Sequence, residues 1–208
     1  MKDDIESMAR TMQGSLGDKV YEAYKLACLV HEGQKRQSGE PYVSHPVIVA
    51  KMLFDMGADT DTICAALLHD VLEENDRFPG LESRIHREFG DLVLYMVRSL
   101  SKDEAIENKK EQQSQYLEQI RRAFEVDISV FFIKTADILH NMSTIVSLSP
   151  ERKTQWVKEL QYQYLPLFSE YYHRIPMPYH GLYYKLVGEI QKLIDSDEQA
   201  KNSHPRAK

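Results

Sequence analysis

Cysteine is scarce, long apolar runs are missing and positive charge is in the minority, and each shortage narrows what the chain can be. Only Cys28 and Cys64 occur among 208 residues. Both sit in apolar stretches without metal-type spacing, so they read as buried packing residues in a reducing compartment rather than as disulfide partners or zinc ligands. No window approaches the roughly 18 uninterrupted apolar residues of a membrane span. The opening segment Met1-Lys2-Asp3-Asp4-Ile5 is polar and acidic, without the apolar core of a secretory signal, so the expected location is the cytoplasm. With 26 Lys and Arg against 32 Asp and Glu, the formal net charge is −6. That balance offers no broad basic surface for duplex nucleic acid, whereas a small anionic ligand needs only a local basic pocket. Alternating strand patterns of useful length, internal repeats and long linkers are absent as well.

What the chain does have is helical periodicity on an ordinary globular composition, 42% hydrophobic and 28% charged, at a length that suits one sizeable core. Tyr21, Tyr24, Ala27, Cys28 and Val30 form an apolar stripe that predicts a helix over residues 18–37. Ser38-Gly39-Glu40-Pro41 supplies turn residues. A second helix is expected over 45–56, with Pro46 in its first turn and Gly57 as its C-cap. Thr60 or Thr62 can open a third over 63–74, apolar nearly all round and therefore central. Short helices are expected over 81–89 and 91–100, split at Gly90, then a long polar one over 108–124 that reads as a solvated face. Asp127 can cap a mostly apolar helix over 128–145, and Ser149-Pro150 can open another over 151–174. A last helix is expected near 179–194. The predicted architecture is all-α: one compact helical domain of nine or ten helices over residues 1–195, with a polar, disordered tail over 196–208.

Metal-type side chains gather in four places: His31 with His45, His69-Asp70, Glu73-Glu74, and Asp137 with Asn141. The second and third lie at the end of the most apolar run in the chain, where an unpaired carboxylate would cost several kcal/mol. On a continuous helix Glu73 falls roughly 40° from His69 and 60° from Asp70, so three acids and an imidazole crowd one side. An isolated His-Asp pair is commonly no more than a hydrogen-bonded helix end. Here Asp137 repeats the situation inside Val130-Phe131-Phe132-Ile133-Lys134-Thr135-Ala136-Asp137-Ile138-Leu139-His140-Asn141-Met142. Asp137, Asn141 and Thr144 share a face at i, i+4, i+7. Two apolar helices that each turn a carboxylate inward call for a cation.

Three ordered blocks carry a resemblance. They are His31-x-x-Gln34-x-Arg36-x-Ser38-Gly39-Glu40-Pro41-Tyr42-x-x-His45-Pro46, then Ala65-Ala66-Leu67-Leu68-His69-Asp70-Val71-Leu72-Glu73-Glu74, then Lys134-x-Ala136-Asp137-x-Leu139-His140-Asn141-Met142 with Thr144. Together, over roughly residues 20–145, they resemble the HD hydrolase domain of the RelA/SpoT alarmone enzymes. The segment 159–174 weakly resembles the stretch C-terminal to that domain in long members, whose synthetase and regulatory domains have no room here, so a stand-alone small alarmone hydrolase is expected. The resemblance implies one divalent ion, usually manganese, on His45, His69, Asp70 and Asp137, and imidazole with carboxylate ligands suit manganese, iron or zinc. It implies removal of pyrophosphate from the 3′ position of guanosine tetra- or pentaphosphate, with Glu73 and Glu74 orienting and deprotonating the attacking water. Arg36, Ser38, Asn141 and Thr144 match positions that touch the nucleotide. Each also has a plainer reading: Arg36 as a surface arginine at a helix end, Ser38 as turn chemistry, Asn141 and Thr144 as helix bridges. His31 reads as a satisfied structural histidine and His140 as packing beside the ligands. His86, His173, His180 and His204 have no supporting context.

The chain departs from the family pattern at Gln37, where lysine is frequent; at Glu74, where aspartate is usual; at Asn75, where threonine is common; and at Ile138 and Ser143, where basic residues flank the last block. Lost positive charge bears on substrate identity, and an adenosine analogue of the alarmone is one alternative. Another is a phosphatase or nucleotidase acting on a different phosphorylated nucleotide, such as a dinucleotide cofactor. A third, of another class, is a non-catalytic nucleotide-binding module. A nucleotide is the expected partner, nucleic acid and membrane are not, and a homo-oligomer stays open.

Overall fold

The computed structural model describes residues 2–12, 14–74 and 76–203, without the side chains of residues 198 and 200–203. Among them the secondary structure is helical, with one isolated bridge between Lys35 and Pro41. The order is α1 (Lys2–Met12), α2 (Gly14–Val30), α3 (Ser44–Asp55), α4 (Thr60–Leu68), a 3-10 turn (Val71–Glu74), α5 (Leu81–Phe89), α6 (Asp91–Leu100), α7 (Lys109–Val126), α8 (Ser129–Ser143), α9 (Pro150–Glu159), α10 (Leu165–Tyr171) and α11 (His180–Ser203). A π segment, Leu160–Tyr164, joins α9 to α10 in one rod, so the all-α domain has ten rods among the described residues. None of these helices is long and apolar enough to cross a membrane.

Local chemistry sets most of the boundaries. Gly57 lies just after α3 with φ +80°, a conformation that glycine adopts without a Cβ penalty. Asp59 caps α4 by accepting from the Thr62 amide, ahead of both Thr60 and Thr62, the threonines expected to open it. Asn108 accepts from the Lys110 and Glu111 amides to start α7, and Ser149 accepts from Arg152 ahead of Pro150 to start α9.

Three expectations change. α2 ends at Val30 instead of Gln37, because His31 turns its Nδ1 to the Gln34 side chain and Gly33 takes φ +76°. Residues 34–42 then fold into a tight loop, with the Arg36 amide bonded to Glu40 O and the Tyr42 amide to Gln34 O. α4 ends at Leu68 instead of Glu74: His69 and Asp70 form a turn and Val71–Glu74 is a 3-10 turn, so the angles drawn on a continuous helix do not apply. α11 runs to Ser203, through much of the stretch expected as a tail, and residues 204–208, with His204, lie outside the described residues.

The central packing is α3 and α4 against α8, with α2 and α6 also packed on α4. Ile63, Cys64, Ala65, Ala66, Leu67 and Leu68 are all fully buried. A second aromatic core of Phe124, Phe131, Phe168 and Tyr171 holds α7, α8 and α10 together. α3, α4 and α8 therefore meet in a rigid layer, and their polar residues can meet only where the three converge.

Candidate functional site

They meet around His45, in the first turn of α3, His69, at the end of α4, and Asp137, in the middle of α8. One ligand atom from each lies within 4.8 Å of the others, and all three residues are buried. His45 Nε2 is 3.0 Å from Asp137 Oδ1 and 3.2 Å from His69 Nε2. Asp70 joins them with one oxygen 3.2 Å from His69 Nε2 and the other 3.7 Å from His45 Nε2. The four expected ligands are thus in one place.

The proton inventory of this cluster shows what it fits. His69 Nδ1 lies 2.8 Å from the Ala66 carbonyl, which can only accept, so in the neutral ring Nε2 is a bare lone pair. His45 Nδ1 lies 2.6 Å from His140 Nδ1, in rings stacked at 4.9 Å. Burial first, then the neighbouring His45 and Arg36, hold His140 down at about 4. The Nε2 atoms of His45 and His69 and the carboxylates of Asp70 and Asp137 face one another, the donor set of a divalent transition ion.

Neighbours supply partial neutralisation. Lys134, one turn ahead of Asp137, donates to its Oδ2 at 2.8 Å, both side chains being nearly buried. Asn141 donates to Oδ1 at 2.6 Å. Burial pushes the Asp137 carboxyl up, but the Lys134 ammonium and the His45 contact pull it well below the usual carboxylate range. Asp70 balances burial against His69 and His45, accepts from the Tyr42 hydroxyl at 2.8 Å and ends up lowered. Lys134, fully charged in this pairing, was not singled out from sequence as part of the site; a lysine inside an apolar run, three residues from a buried aspartate, is the signal that marks it.

Glu73 and Glu74 occupy the 3-10 turn directly after the ligand pair. Glu73 is exposed at its surface, yet the protein packed around it, then the Asp70 charge, push its carboxyl up to about 7. It lines a cavity of about 470 Å³ together with Lys102. Glu74 is half-buried and its charge is felt by His31. Asn75 lies outside the described residues.

A separate cavity of about 410 Å³ contains Arg36, Ser38, Asn141 and Thr144 on its wall. Arg36 Nη2 donates to Asn141 Oδ1 at 2.6 Å and to Thr144 Oγ1 at 3.4 Å, so Arg36 is not a free surface arginine. Through the Asn141 amide it is connected to Asp137, and the cavity abuts the ligand cluster. Gln37 lies on the same wall. Lys35, Arg152 and Trp156, which the motifs did not single out, also line it, with Tyr42, Ser147 and Leu148. Ser38 is exposed. His31 is only half satisfied: Nδ1 meets Gln34, whereas Nε2 has no partner among the described residues.

Comparison with known proteins defines the class. A family model described as "HD domain" matches residues 23–170, and the chain belongs to that family. Its relatives include the bifunctional (p)ppGpp synthase/hydrolase SpoT of Escherichia coli K12, 40% identical over 169 residues that make up 78% of this chain and 24% of that protein. A guanosine-3′,5′-bis(diphosphate) 3′-pyrophosphohydrolase of Haemophilus influenzae is 41% identical over 140 residues, 66% of this chain and 20% of that one. A GTP pyrophosphokinase of Streptomyces coelicolor is 34% identical over 186 residues, 85% of this chain and 21% of that one. The chain thus spans roughly a quarter or less of the length of these relatives. A solved structure, reported under the words "A metazoan ortholog of SpoT hydrolyzes ppGpp and plays a role in starvation responses", shares the fold with a TM-score of 0.66 and 23% identity, over 84% of this chain and 94% of that one.

Proposed function

We propose that this HD domain binds one divalent ion, manganese foremost, on His45, His69, Asp70 and Asp137, and hydrolyses the 3′-pyrophosphate of (p)ppGpp-type nucleotides to give GDP or GTP and pyrophosphate, in the cytoplasm. The observation that supports it best is the convergence of two imidazole nitrogens and two carboxylates beside a cavity whose wall is cationic. Relatives carrying the name guanosine-3′,5′-bis(diphosphate) 3′-pyrophosphohydrolase supply the substrate.

In this reading a water oxygen bonds to the phosphorus on the 3′ oxygen, the P–O3′ bond breaks, and a proton returns to the 3′ oxygen. When bound, the ion supplies Lewis-acid chemistry that offsets negative charge building on the phosphoryl group. Glu73, whose carboxyl sits near neutrality, takes the proton from the water, and Glu74 orients it. Arg36 and Thr144 meet the nucleotide, with Asn141 holding Arg36 in register with Asp137, and Ser38 closes the loop side of the cavity.

The test is metal analysis of the purified protein, then a panel of 3′-phosphorylated guanosine and adenosine nucleotides with product identification. The adenosine arm answers to Gln37, a neutral residue on the cavity wall. Expected are one manganese per chain, release of pyrophosphate, and loss of metal in His69→Ala and Asp137→Ala. Release of orthophosphate, or full manganese affinity in those two variants, overturns the reading.

A further inference from the structure

The cavity beside the ligand cluster is distinctive for what its wall lacks. Lys35, Arg36 and Arg152 lie on it, and among the described residues no carboxylate does, in a chain whose formal net charge is −6. A wall of that sign concentrates phosphates. It also carries Trp156, the single tryptophan of the chain, which is only partly buried although Val157 and Leu160 beside it are fully packed. An indole packed against the core on one side and lining a cationic cavity on the other is the kind of surface a nucleobase stacks on.

α9 places that face. Ser149 and Pro150 fix its start, and Arg152 and Trp156, four residues apart, fall on the same side, separated by about 6 Å along the axis. That offset is comparable to the reach of a ribose between its base and its 5′-phosphates. Across the cavity Lys35 and Arg36 stand on the tight loop, with the Arg36 guanidinium 5.9 Å from the centre of the Tyr42 ring. Arg36 is already engaged by Asn141 and Thr144, which places it toward the metal cluster and leaves Arg152 and Lys35 toward the opening.

We propose that Trp156 is the platform on which the purine base of the substrate stacks, with Arg152 and Lys35 as the partners of its 5′-phosphates. The inference rests on the function proposed above and deepens it, by assigning the nucleoside end of the substrate to α9. A nucleotide lying this way has its base on α9, its 5′-phosphates between the two outer cations, and its 3′ side directed past Arg36 to the ligand cluster.

Because Trp156 is the sole tryptophan, its emission reports occupancy directly. GDP, which carries no 3′-phosphate to hydrolyse, is titrated into the purified protein, with inorganic pyrophosphate as the baseless control. The expected result is a saturable change in emission with GDP and none with pyrophosphate. By calorimetry, Trp156→Leu should bind GDP about tenfold more weakly, the scale of one lost base stack, whereas Trp156→Phe, which keeps a ring, should stay within about threefold of wild type. In turnover the leucine variant should raise KM and leave kcat unchanged, a split that a merely structural tryptophan would not produce. No GDP binding to wild-type protein, binding without an emission change, or equal GDP affinity in the leucine variant would each overturn the platform. Product identification tests the reaction and GDP titration tests the platform, so either can fail alone.

Discussion

Replacing Lys134 with methionine keeps the stem and much of the volume of the side chain and deletes the ammonium that neutralises Asp137. At the 2.8 Å separation seen here, Coulomb attraction in an effective dielectric of about 20 is on the order of 6 kcal/mol, offset by the cost of taking both charges out of water. What the variant exposes is the remainder: a buried aspartate without its partner, close to a second carboxylate, Asp70. Removing one member of a buried pair costs about 3–5 kcal/mol. The lost cation–π contacts to Tyr116 and Tyr164, at 5.2 and 5.7 Å, act in the same direction. For a chain of this size that corresponds to a fall in melting temperature of roughly 6–20 °C. The metal changes the outcome: without the lysine, the ligand cluster is more negative and binds a cation more tightly. Calorimetric melting in chelator and then in excess manganese reads both effects. The variant should melt well below wild type in chelator and recover more than wild type gains when the metal is added. A chelator melting temperature within about 2 °C of wild type, or a smaller metal-induced rise, would refute the argument.

Other predictions are independent of that pair. In the proposed reaction Glu73, with its carboxyl raised to about 7, acts as base only when ionised, so kcat/KM should be lost as pH falls through that region, a bound cation moving the midpoint lower; Glu73→Gln should cut kcat by roughly 10²–10⁴-fold and remove the acid limb from the pH profile. Arg36→Lys keeps the charge but loses the planar fork, and should raise KM by about tenfold in steady-state assays with little change in melting temperature. Gly17→Ala places a Cβ 2.1 Å from the Ala9 carbonyl oxygen, so overpacking between α1 and α2 should outweigh the roughly 1 kcal/mol gain in helix propensity and destabilise by about 1–3 kcal/mol. Gly188→Ala in α11 meets nothing within 4 Å and should stabilise by roughly 0.5–1 kcal/mol in the same denaturation assay.

The parts of the fold written in single residues could be read from the chain. Gly57 and Pro150 act through their own backbone and Asn108 through a side chain that reaches only the next turn, and the apolar runs of α4 and α8 leave no alternative to burial. The ends of α2 and α4 were not readable in the same way. α4 stops where His69 turns to face His45 from another helix, and α2 stops at the local His31–Gln34 contact and Gly33. Apolar periodicity runs on through both points and so does not mark them. The clustering of His45, His69, Asp70 and Asp137 was legible for the opposite reason, since polar groups inside apolar runs have few explanations. The cavity wall was not. Lys35 and Arg152 are common surface types and Trp156 is an isolated aromatic, spread over more than a hundred positions, and nothing in their spacing joins them before the chain folds.

The π segment at Leu160–Tyr164 has a geometric consequence for the rod it interrupts. An i→i+5 turn holds one residue more than an α turn, so everything after it is rotated by roughly 100° relative to an unbroken helix. Trp156 lies on one side of that offset and Phe168 on the other. A single continuous stretch of chain can therefore direct its first half toward a solvent-filled recess and its second half into the aromatic interior, as a camshaft carries lobes at different angles on one axle. Deleting one residue there would make the helix regular and swing one of the two faces out of line.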